Sequence, residues 1–418
     1  MYDTERQKEK VILVAIENSR SCGDDLDELR LLAETAGAAE VGRIIQKREA
    51  MHAAHYLGKG KLDEVRALIE ETNADAIVTD DELTASQQRN MAEQLGIKIL
   101  DRTMVILDIF AQRAQTAEGK AQVELAQLRY RLSHLTGIGI SMSRQAGAAA
   151  RGGVGNRGPG EKKLELDRRY IRSRIDQLNK ELKEIRENRG TLRKKRERSG
   201  IPVVALVGYT NAGKSTLMNA ITGAGVLAEN KLFATLDTTT RKAELPDRGA
   251  DVLFTDTVGF INKLPHHLIN AFRATLEELN FADVLVHVVD SSAPHRREQM
   301  QVVLETLKSL ECADKPIITA FNKADITGSE EAEVSPDRVA ISALTGENIP
   351  ALLKAVEEVL LSLRQRMMIL LPYNKGGLLN QIYDTCKVIS AENREDGTLM
   401  EIYATQEIAG KVGAFCVV

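Results

Sequence analysis

The chain lacks the features that would carry it out of a reducing aqueous compartment. Its four cysteines, Cys22, Cys312, Cys386 and Cys416, form no CxxC pair and stand beside no histidine. Such scatter excludes a disulfide framework and a sequence-local zinc site, and leaves reduced thiols used for packing. No run approaches the ~18 apolar residues of a membrane span, and neither a basic-then-apolar leader nor a lipidation signal is present. A cytoplasmic protein without stable membrane insertion is therefore expected.

What is present is ordinary for a globular protein: 418 residues, 43% apolar and 28% charged. That length allows two or three domains and a large buried core. The formal charge of −4 is unevenly spread, because residues 151–198 hold 17 Lys and Arg against 8 Asp and Glu. This local +9 leaves −13 for the remainder, and so implies one segment suited to a polyanion on an acidic body.

The central motif is Gly208-Tyr209-Thr210-Asn211-Ala212-Gly213-Lys214-Ser215, between the apolar run Val203–Val207 and a helical pattern starting at Thr216. Strand, glycine loop and helix in this order form a phosphate cradle. Its amides wrap a phosphate, Lys214 reaches the β and γ phosphates, and the Ser215 hydroxyl is placed for Mg²⁺.

Three further motifs follow, each at the end of a strand-like run. Asp256-Thr257-Val258-Gly259 supplies a carboxylate acting on Mg²⁺ through water and a glycine N–H for the γ phosphate. Asn322-Lys323-Ala324-Asp325 supplies a carboxylate that accepts both the ring N–H and the exocyclic amine of guanine, a donor pair that adenine lacks. Ser342-Ala343-Leu344 supplies a backbone N–H for the guanine carbonyl. Each is weak alone; in this order they resemble the GTPase domain of the translation-factor class. GTP and GDP are the expected substrate and product, with Mg²⁺ as cofactor.

Before this domain, residues 1 to about 110 alternate strand-like and helix-like patterns as a small α/β layer. Strands are expected near Val11–Ile16, Glu40–Gln46, Ala76–Val78 and Ile97–Leu100, and helices near Leu26–Ala36, Lys61–Glu71 and Ser86–Leu95. Gly58-Lys59-Gly60-Lys61 reads either as an anion contact at a helix start or as a surface turn. Leu125, Leu128, Leu132 and Leu135, and then Ile171, Ile175, Leu178, Leu182 and Ile185, repeat at heptad spacing and predict an antiparallel helical hairpin. The stretch Gly137–Gly160 between them, with Arg144, Arg151 and Arg157, reads as a glycine-rich basic loop at the hairpin's tip. It is either a flexible linker or, as preferred here, an RNA contact. At the C-terminus, Cys386–Ile389 and Leu399–Tyr403 flank Asp396-Gly397 as a hairpin. The expected fold class is thus α/β, with domains at 1–115, 116–200 (the hairpin), 201–366 (a P-loop GTPase domain) and 367–418 (a small α/β domain).

Taken together, these features resemble the HflX family of ribosome-associated GTPases. The resemblance is carried by Tyr56-Leu57-Gly58-Lys59-Gly60-Lys61, Leu107-Asp108-Ile109-Phe110-Ala111-Gln112-Arg113-Ala114, Glu118-Gly119-Lys120, Gln122–Leu128, Arg157-Gly158-Pro159-Gly160-Glu161, the phosphate loop and Leu232-Phe233-Ala234-Thr235-Leu236-Asp237. It implies a monomeric GTP hydrolase that binds the large ribosomal subunit and its RNA through the Gly137–Gly160 loop and the basic helix, with no DNA partner. It further implies splitting of stalled ribosomes under stress, the tip entering the peptidyl-transferase region; in some members the N-terminal domain also binds ATP. A GTP-gated RNA-binding module acting in large-subunit assembly or quality control is the alternative.

The resemblance assigns nucleotide contacts to Gly208–Thr216, Phe233–Asp237, Asp256–Gly259, Asn322–Asp325 and Ser342–Leu344. It makes Lys214, Thr235 and Gly259 catalytic, and Ser215 and Thr235 the metal ligands. Thr239 is a rival to Thr235 as the switch threonine. Thr238 replaces the proline many members carry, which bears on the stiffness of this switch. Phe260 stands where Ras-like enzymes have a glutamine that orients water, so slow unassisted hydrolysis is expected. His266 and His267 are candidate bases or ordinary surface residues, and His134 has no evident partner.

Overall fold

The computed structural model describes residues 8–17, 25–149, 159–199, 201–223, 232–246, 251–263, 277–327, 337–404 and 406–417. The chain forms two compact units that exchange segments: residues 1–185, 229–237 and 262–274 make the first, and 186–228, 238–261 and 275–418 the second.

In the first unit, β1 (Glu9–Glu17), β2 (Ala38–Lys47), β3 (Ala76–Thr79) and β4 (Lys98–Asp101) form a parallel sheet in the order β2-β1-β3-β4. Val11, Ile12, Leu13 and Val14 are all fully buried. A central parallel strand covered on both faces reads as such an unbroken apolar run. The crossovers are α1 (Asp25–Ala36), α2 (Lys59–Thr72) and α3 (Ala85–Leu95), with α4 (Arg102–Arg113) following β4. The ends of α3 have clear causes: Thr84 and Gln87 form a capping box, and Gly96 closes the helix at φ 68°.

The helical hairpin is made of α5 (Ala117–Ala149) and α6 (Pro159–Ser199). Ala121, Leu125, Leu178 and Leu182 bury its seam, with Leu128 and Ile175 beside them. Arg174 adds a bidentate pair to Glu124 at 2.7 and 2.8 Å. The glycine-rich loop expected at 137–160 is shorter than that, because α5 continues through residues 137–149. A helix-interior glycine costs only ~1 kcal/mol, and the surrounding alanines, Met142, Arg144 and Gln145 are helix formers. Arg151 and Arg157 lie outside the described residues.

In the second unit, β5 (Val203–Gly208), β6 (Thr239–Glu244), β7 (Asp251–Asp256), β8 (Val284–Asp290), β9 (Ile317–Asn322) and β10 (Arg338–Ala340) form a sheet in the order β10-β9-β8-β5-β7-β6. Only β6 runs antiparallel to its neighbour. Helices α7 (Lys214–Thr222), α8 (Arg296–Ser309), α9 (Ala324–Thr327) and α10 (Ile349–Ser362) complete this layer. One face buries Val204, Leu206, Val286, Val288 and Ile318 with Leu217, Leu352 and Val356. An antiparallel sheet, β11 (Gln365–Leu371), β12 (Lys387–Arg394) and β13 (Gly397–Ala404), ordered β11-β13-β12, ends the chain with α11 (Gly376–Thr385) and α12 (Gln406–Val412). The fold is the α/β class expected, a mostly parallel six-stranded sheet flanked by helices with N-terminal and C-terminal additions. Among the described residues no helix is long and apolar enough to cross a membrane.

Candidate functional site

The carboxyl edge of a parallel sheet is where strand-to-helix turns gather and where α/β folds place ligands. Here β5, β7 and β9 end at Gly208, Asp256 and Asn322. The turn after β5 leads through Asn211, at φ 61°, and Gly213, at φ 93°, into α7, whose N-terminus carries no side-chain cap. A Cβ at Gly213 would collide with the Asn322 amide, so glycine is required for close approach as well as for its positive φ. The uncapped amides of α7 remain available to an anion.

Lys214 is buried, and its ammonium donates to the carbonyls of Gly208 at 3.1 Å and Tyr209 at 2.9 Å. Burial pulls its pKa down to about 8, partly opposed by the carboxylate of Asp256. The Ser215 hydroxyl donates to Asp256 Oδ2 at 2.8 Å, and Asp256 is fully buried. Thr257 is buried and donates to the Leu206 carbonyl at 2.7 Å, which fixes the segment carrying Val258 and Gly259. A parallel bridge joins that segment to the phosphate loop, with Thr210 N–H to Phe260 O at 2.7 Å and Phe260 N–H to Gly208 O at 3.1 Å. A Cβ on Gly259 would stand 2.9 Å from Thr210 Cα and 3.0 Å from Lys214 Nζ, so the two loops meet at van der Waals contact. The Phe260 ring is buried, with 2% of the residue exposed.

Asn322 lies in the sheet edge as a brace. Its amide donates to Ala212 O at 2.9 Å, and its carbonyl oxygen accepts from Ala343 N–H at 2.9 Å. One buried side chain therefore fixes the spacing of the phosphate loop and the Ser342-Ala343-Leu344 turn. Lys323, at φ 67°, pairs with Asp290 at 2.5 Å. Ala324 is buried, Asp325 is exposed on α9, Ser342 is buried and Leu344 is exposed. Thr216 follows Ser215 in the first turn of α7.

The remaining expected contacts, Phe233 to Asp237, belong to the first unit. Phe233 is buried edge-to-face on Phe110, ring centroids 4.7 Å apart, and Leu236 is buried. Ala234 and Thr235 are half-buried between them. Asp237 accepts from Gln115 N–H at 2.9 Å, Thr116 N–H at 3.0 Å and the Thr116 hydroxyl at 2.6 Å. Thr239, the rival switch residue, begins β6 in register with Asp256. His266 and His267 lie outside the described residues. His134 has both ring nitrogens near backbone carbonyls, Tyr130 O at 3.0 Å and Leu83 O at 3.1 Å, and stacks on Tyr130. At Gly58–Lys61, Gln46 accepts from Gly58 N–H at 2.9 Å and Lys61 pairs with Glu64 at 2.7 Å.

Some functional neighbours escaped sequence reasoning. His287, buried in β8, has its pKa pushed down to about 4 by burial and then by Lys214, which keeps it neutral beneath the phosphate loop. Arg102 is buried against Asp80 at 2.7 Å and Glu28, and donates to Asn262 O at 2.9 Å. Lys263 reaches the same Asp80 at 2.5 Å. Pairs separated by more than a hundred residues leave no local pattern. Among the described residues no group of three or more His, Cys, Asp or Glu is placed to hold a metal.

Family models match along the chain: "GTP-binding GTPase N-terminal" at residues 23–111, "GTP-binding GTPase Middle Region" at 113–196, "50S ribosome-binding GTPase" at 203–323 and "HflX C-terminal domain" at 328–411. The GTPase HflX of Lacrimispora saccharolytica is 49% identical over 96% of this chain and 95% of its own. That of Caldanaerobacter subterraneus subsp. tengcongensis is 45% identical over 100% and 96%, and that of Escherichia coli 39% over 96% and 94%. A crystal structure of SsGBP with GDP covers 84% of this chain and 98% of that one at 25% identity and TM-score 0.47. With a phosphate loop braced against a guanine-type motif and near full-length relatives at these identities, the chain belongs to the HflX family of GTPases and is a GTP hydrolase.

Proposed function

We propose that GTP binding and hydrolysis at the β5–α7 loop control binding to the large ribosomal subunit, and that this cycle splits or rescues stalled ribosomes. The observation that carries the reading is the match of residues 203–323 to a 50S ribosome-binding GTPase model, in a chain whose segment 151–198 holds a net charge of +9. The lysines and arginines of residues 151–198 suit a phosphate backbone, and the glycine-rich residues near Gly137–Gly160 suit close approach to RNA.

In this reading Lys214 leaves its two carbonyl partners for the β and γ phosphate oxygens. The Gly259 amide meets the γ phosphate, and the Gly208–Thr216 amides wrap the rest. Asp325 and the Ala343 amide select guanine, with Asn322 holding their spacing to the phosphate loop. The Ser215 hydroxyl beside the buried Asp256 carboxylate is a hard-oxygen pair that fits Mg²⁺. Ser215 and, with GTP, Thr235 would hold that ion directly, and Asp256 through water. When bound, the ion neutralises charge on the phosphate oxygens. Phe260 offers no group to orient water, so the missing assistance comes from the ribosome, as arginine fingers do in other GTPases.

Incubating ribosomes with the protein and either GTP or a non-hydrolysable analogue, followed by sedimentation, tests the proposal. Subunit separation is the expected result. Binding to free large subunits without separation would favour the assembly or quality-control role, and equal indifference in every nucleotide state would overturn both. Turnover alone is expected to be slow and to rise with large subunits. Asp325→Asn is expected to weaken GTP binding at least about a hundredfold, measured by isothermal titration, because half of the acceptor pair becomes a mismatched donor.

A further inference from the structure

One of the chain's passages between its two units lies between Asp237 and Thr238, two residues beyond the threonine read as the switch residue. Residues 229–237 belong to the first unit, while Thr238 leads into β6, whose Thr239 stands in register with Asp256 in the second. Within the first unit the described part of this segment is held at two points that bracket Thr235. Phe233, at φ 53° and 2% exposed, packs on Phe110 of α4, and Asp237 sits at the start of α5.

That second anchor is a composite helix cap. Thr116 precedes α5, and its hydroxyl oxygen accepts from Gly119 N–H at 2.9 Å, a side-chain N-cap. The hydroxyl hydrogen is donated to Asp237 Oδ1, while Asp237 Oδ2 accepts from Gln115 N–H and Thr116 N–H. A carboxylate at a helix N-terminus satisfies amides that the helix itself leaves open and faces the positive end of its dipole. The seat is tight, since a Cβ on Gly119 would collide with Asp237 Oδ1. From this cap α5 runs without a break to Ala149, at the glycine-rich end of the hairpin.

We infer that Asp237 is a positioning residue: by capping α5 together with Thr116, it couples the position of Thr235 to the first turns of the helical arm. The inference rests on the reading of Thr235 as the switch threonine. Two residues of chain span at most ~7 Å, so a movement of Thr235 on nucleotide binding is passed to the Asp237 cap. Linkage makes the effect reciprocal: whatever holds the arm alters the preference for GTP over GDP.

Hydrogen exchange on the full chain, loaded with GDP or a non-hydrolysable GTP analogue and without ribosomes, reads this directly. Amides of residues 117–126 are expected to differ in exchange between the two nucleotides by about fivefold or more. Asp237→Ala and Thr116→Val are expected to reduce that difference to less than about twofold, and Thr116→Ser, which restores the hydroxyl, to recover it. Thr116→Val touches no nucleotide contact, so its GDP affinity stays within about twofold of wild type, which separates lost coupling from lost folding. A nucleotide-dependent difference that survives undiminished in both variants, or is absent from the wild type, overturns the inference. Persistence of the difference in Thr235→Ala overturns it through its premise instead. Sedimentation with ribosomes has no bearing on this outcome, so the ribosomal reading stands or falls separately.

Discussion

The two larger sheets of this molecule, one parallel and one parallel but for an edge strand, use the same layer architecture and dispose of their polar strand ends in opposite ways. In the first unit Asp80 and Asp101 follow β3 and end β4, and both are consumed internally. Asp80 meets Arg102 and Lys263, and Asp101 accepts from Leu83 N–H, Met104 N–H and the Tyr130 hydroxyl. In the second unit the corresponding edge keeps an uncapped helix N-terminus, a buried lysine resting on two carbonyls and an exposed Asp325. Function follows from which donors and acceptors a strand end leaves open, and the shared architecture does not decide it.

The largest expected effect strikes the open edge. Lys214→Ala removes the only side-chain cation of the phosphate loop and is expected to weaken GDP binding at least about a thousandfold, since each charge-assisted hydrogen bond is worth ~1.5–3 kcal/mol. Fluorescent GDP titration measures this. Its folding should be intact, because a buried cation is being deleted and not stranded. Micromolar binding by the variant would mean that backbone amides alone make the site.

Arg102→Ala is the counterpart at the closed edge. Arg102 is 2% exposed and Asp80 1%, so the variant leaves a buried carboxylate with Lys263 as its main cation. Loss of one partner from a buried pair typically costs ~3–5 kcal/mol, and urea unfolding is expected to show a destabilisation of that size. GDP affinity should change little. If stability held and nucleotide affinity fell, the contrast between the two edges would collapse.

A third effect, about tenfold, comes from pH. In the nucleotide-free chain Lys214 has a pKa lowered to about 8, while phosphates favour its charged form. GDP binding therefore takes up a proton as pH rises through about 8, and affinity is nearly full at pH 7 and falls by about a factor of ten between pH 7 and 9. Stability of the empty chain moves the other way. Holding a buried ammonium costs free energy below pH 8, and that cost is relieved as pH rises from about 8 toward the ordinary lysine value of about 10.5. A flat GDP affinity from pH 7 to 9 would show that Lys214 is already charged across that range before the nucleotide arrives.

These contrasts also mark how far the sequence could be read. Apolar runs and GxxxxGKS report local constraints, and β1, β3, β5, β7, β9 and α7 fall where those patterns place them. Alternation could not report α4, whose Val105-Ile106-Leu107 run is buried as part of a helix, or β11, which crosses the boundary expected at residues 366 and 367. Gly137, Gly139 and Gly147 suggested a loop, yet the intervening helix formers carry α5 past them. The brace made by Asn322, the Asp237 cap and the Arg102 cluster join residues 21 to 183 positions apart, and only the folded chain brings them together.

The smallest expected effect probes how completely the closed edge is satisfied. Tyr130→Phe removes one donor from Asp101 and leaves two backbone N–H groups on its carboxylate. A hydrogen bond to a buried charged group is worth ~1.5–3 kcal/mol, and the two remaining bonds place the expected loss near the low end, ~1.5 kcal/mol at pH 7.5. Burial already raises the Asp101 pKa, and losing the phenol raises it further. An acid whose folded pKa lies above its unfolded value adds most stability when protonated and loses it as pH rises through that window. The deficit of Tyr130→Phe should therefore narrow at pH 5, where a larger share of Asp101 is protonated and forfeits only a neutral hydrogen bond. Urea midpoints at the two pH values supply the measurement. The absence of a deficit at both pH values would mean that Tyr130 contributes through its ring stacked on His134 and that its hydroxyl on Asp101 is energetically idle.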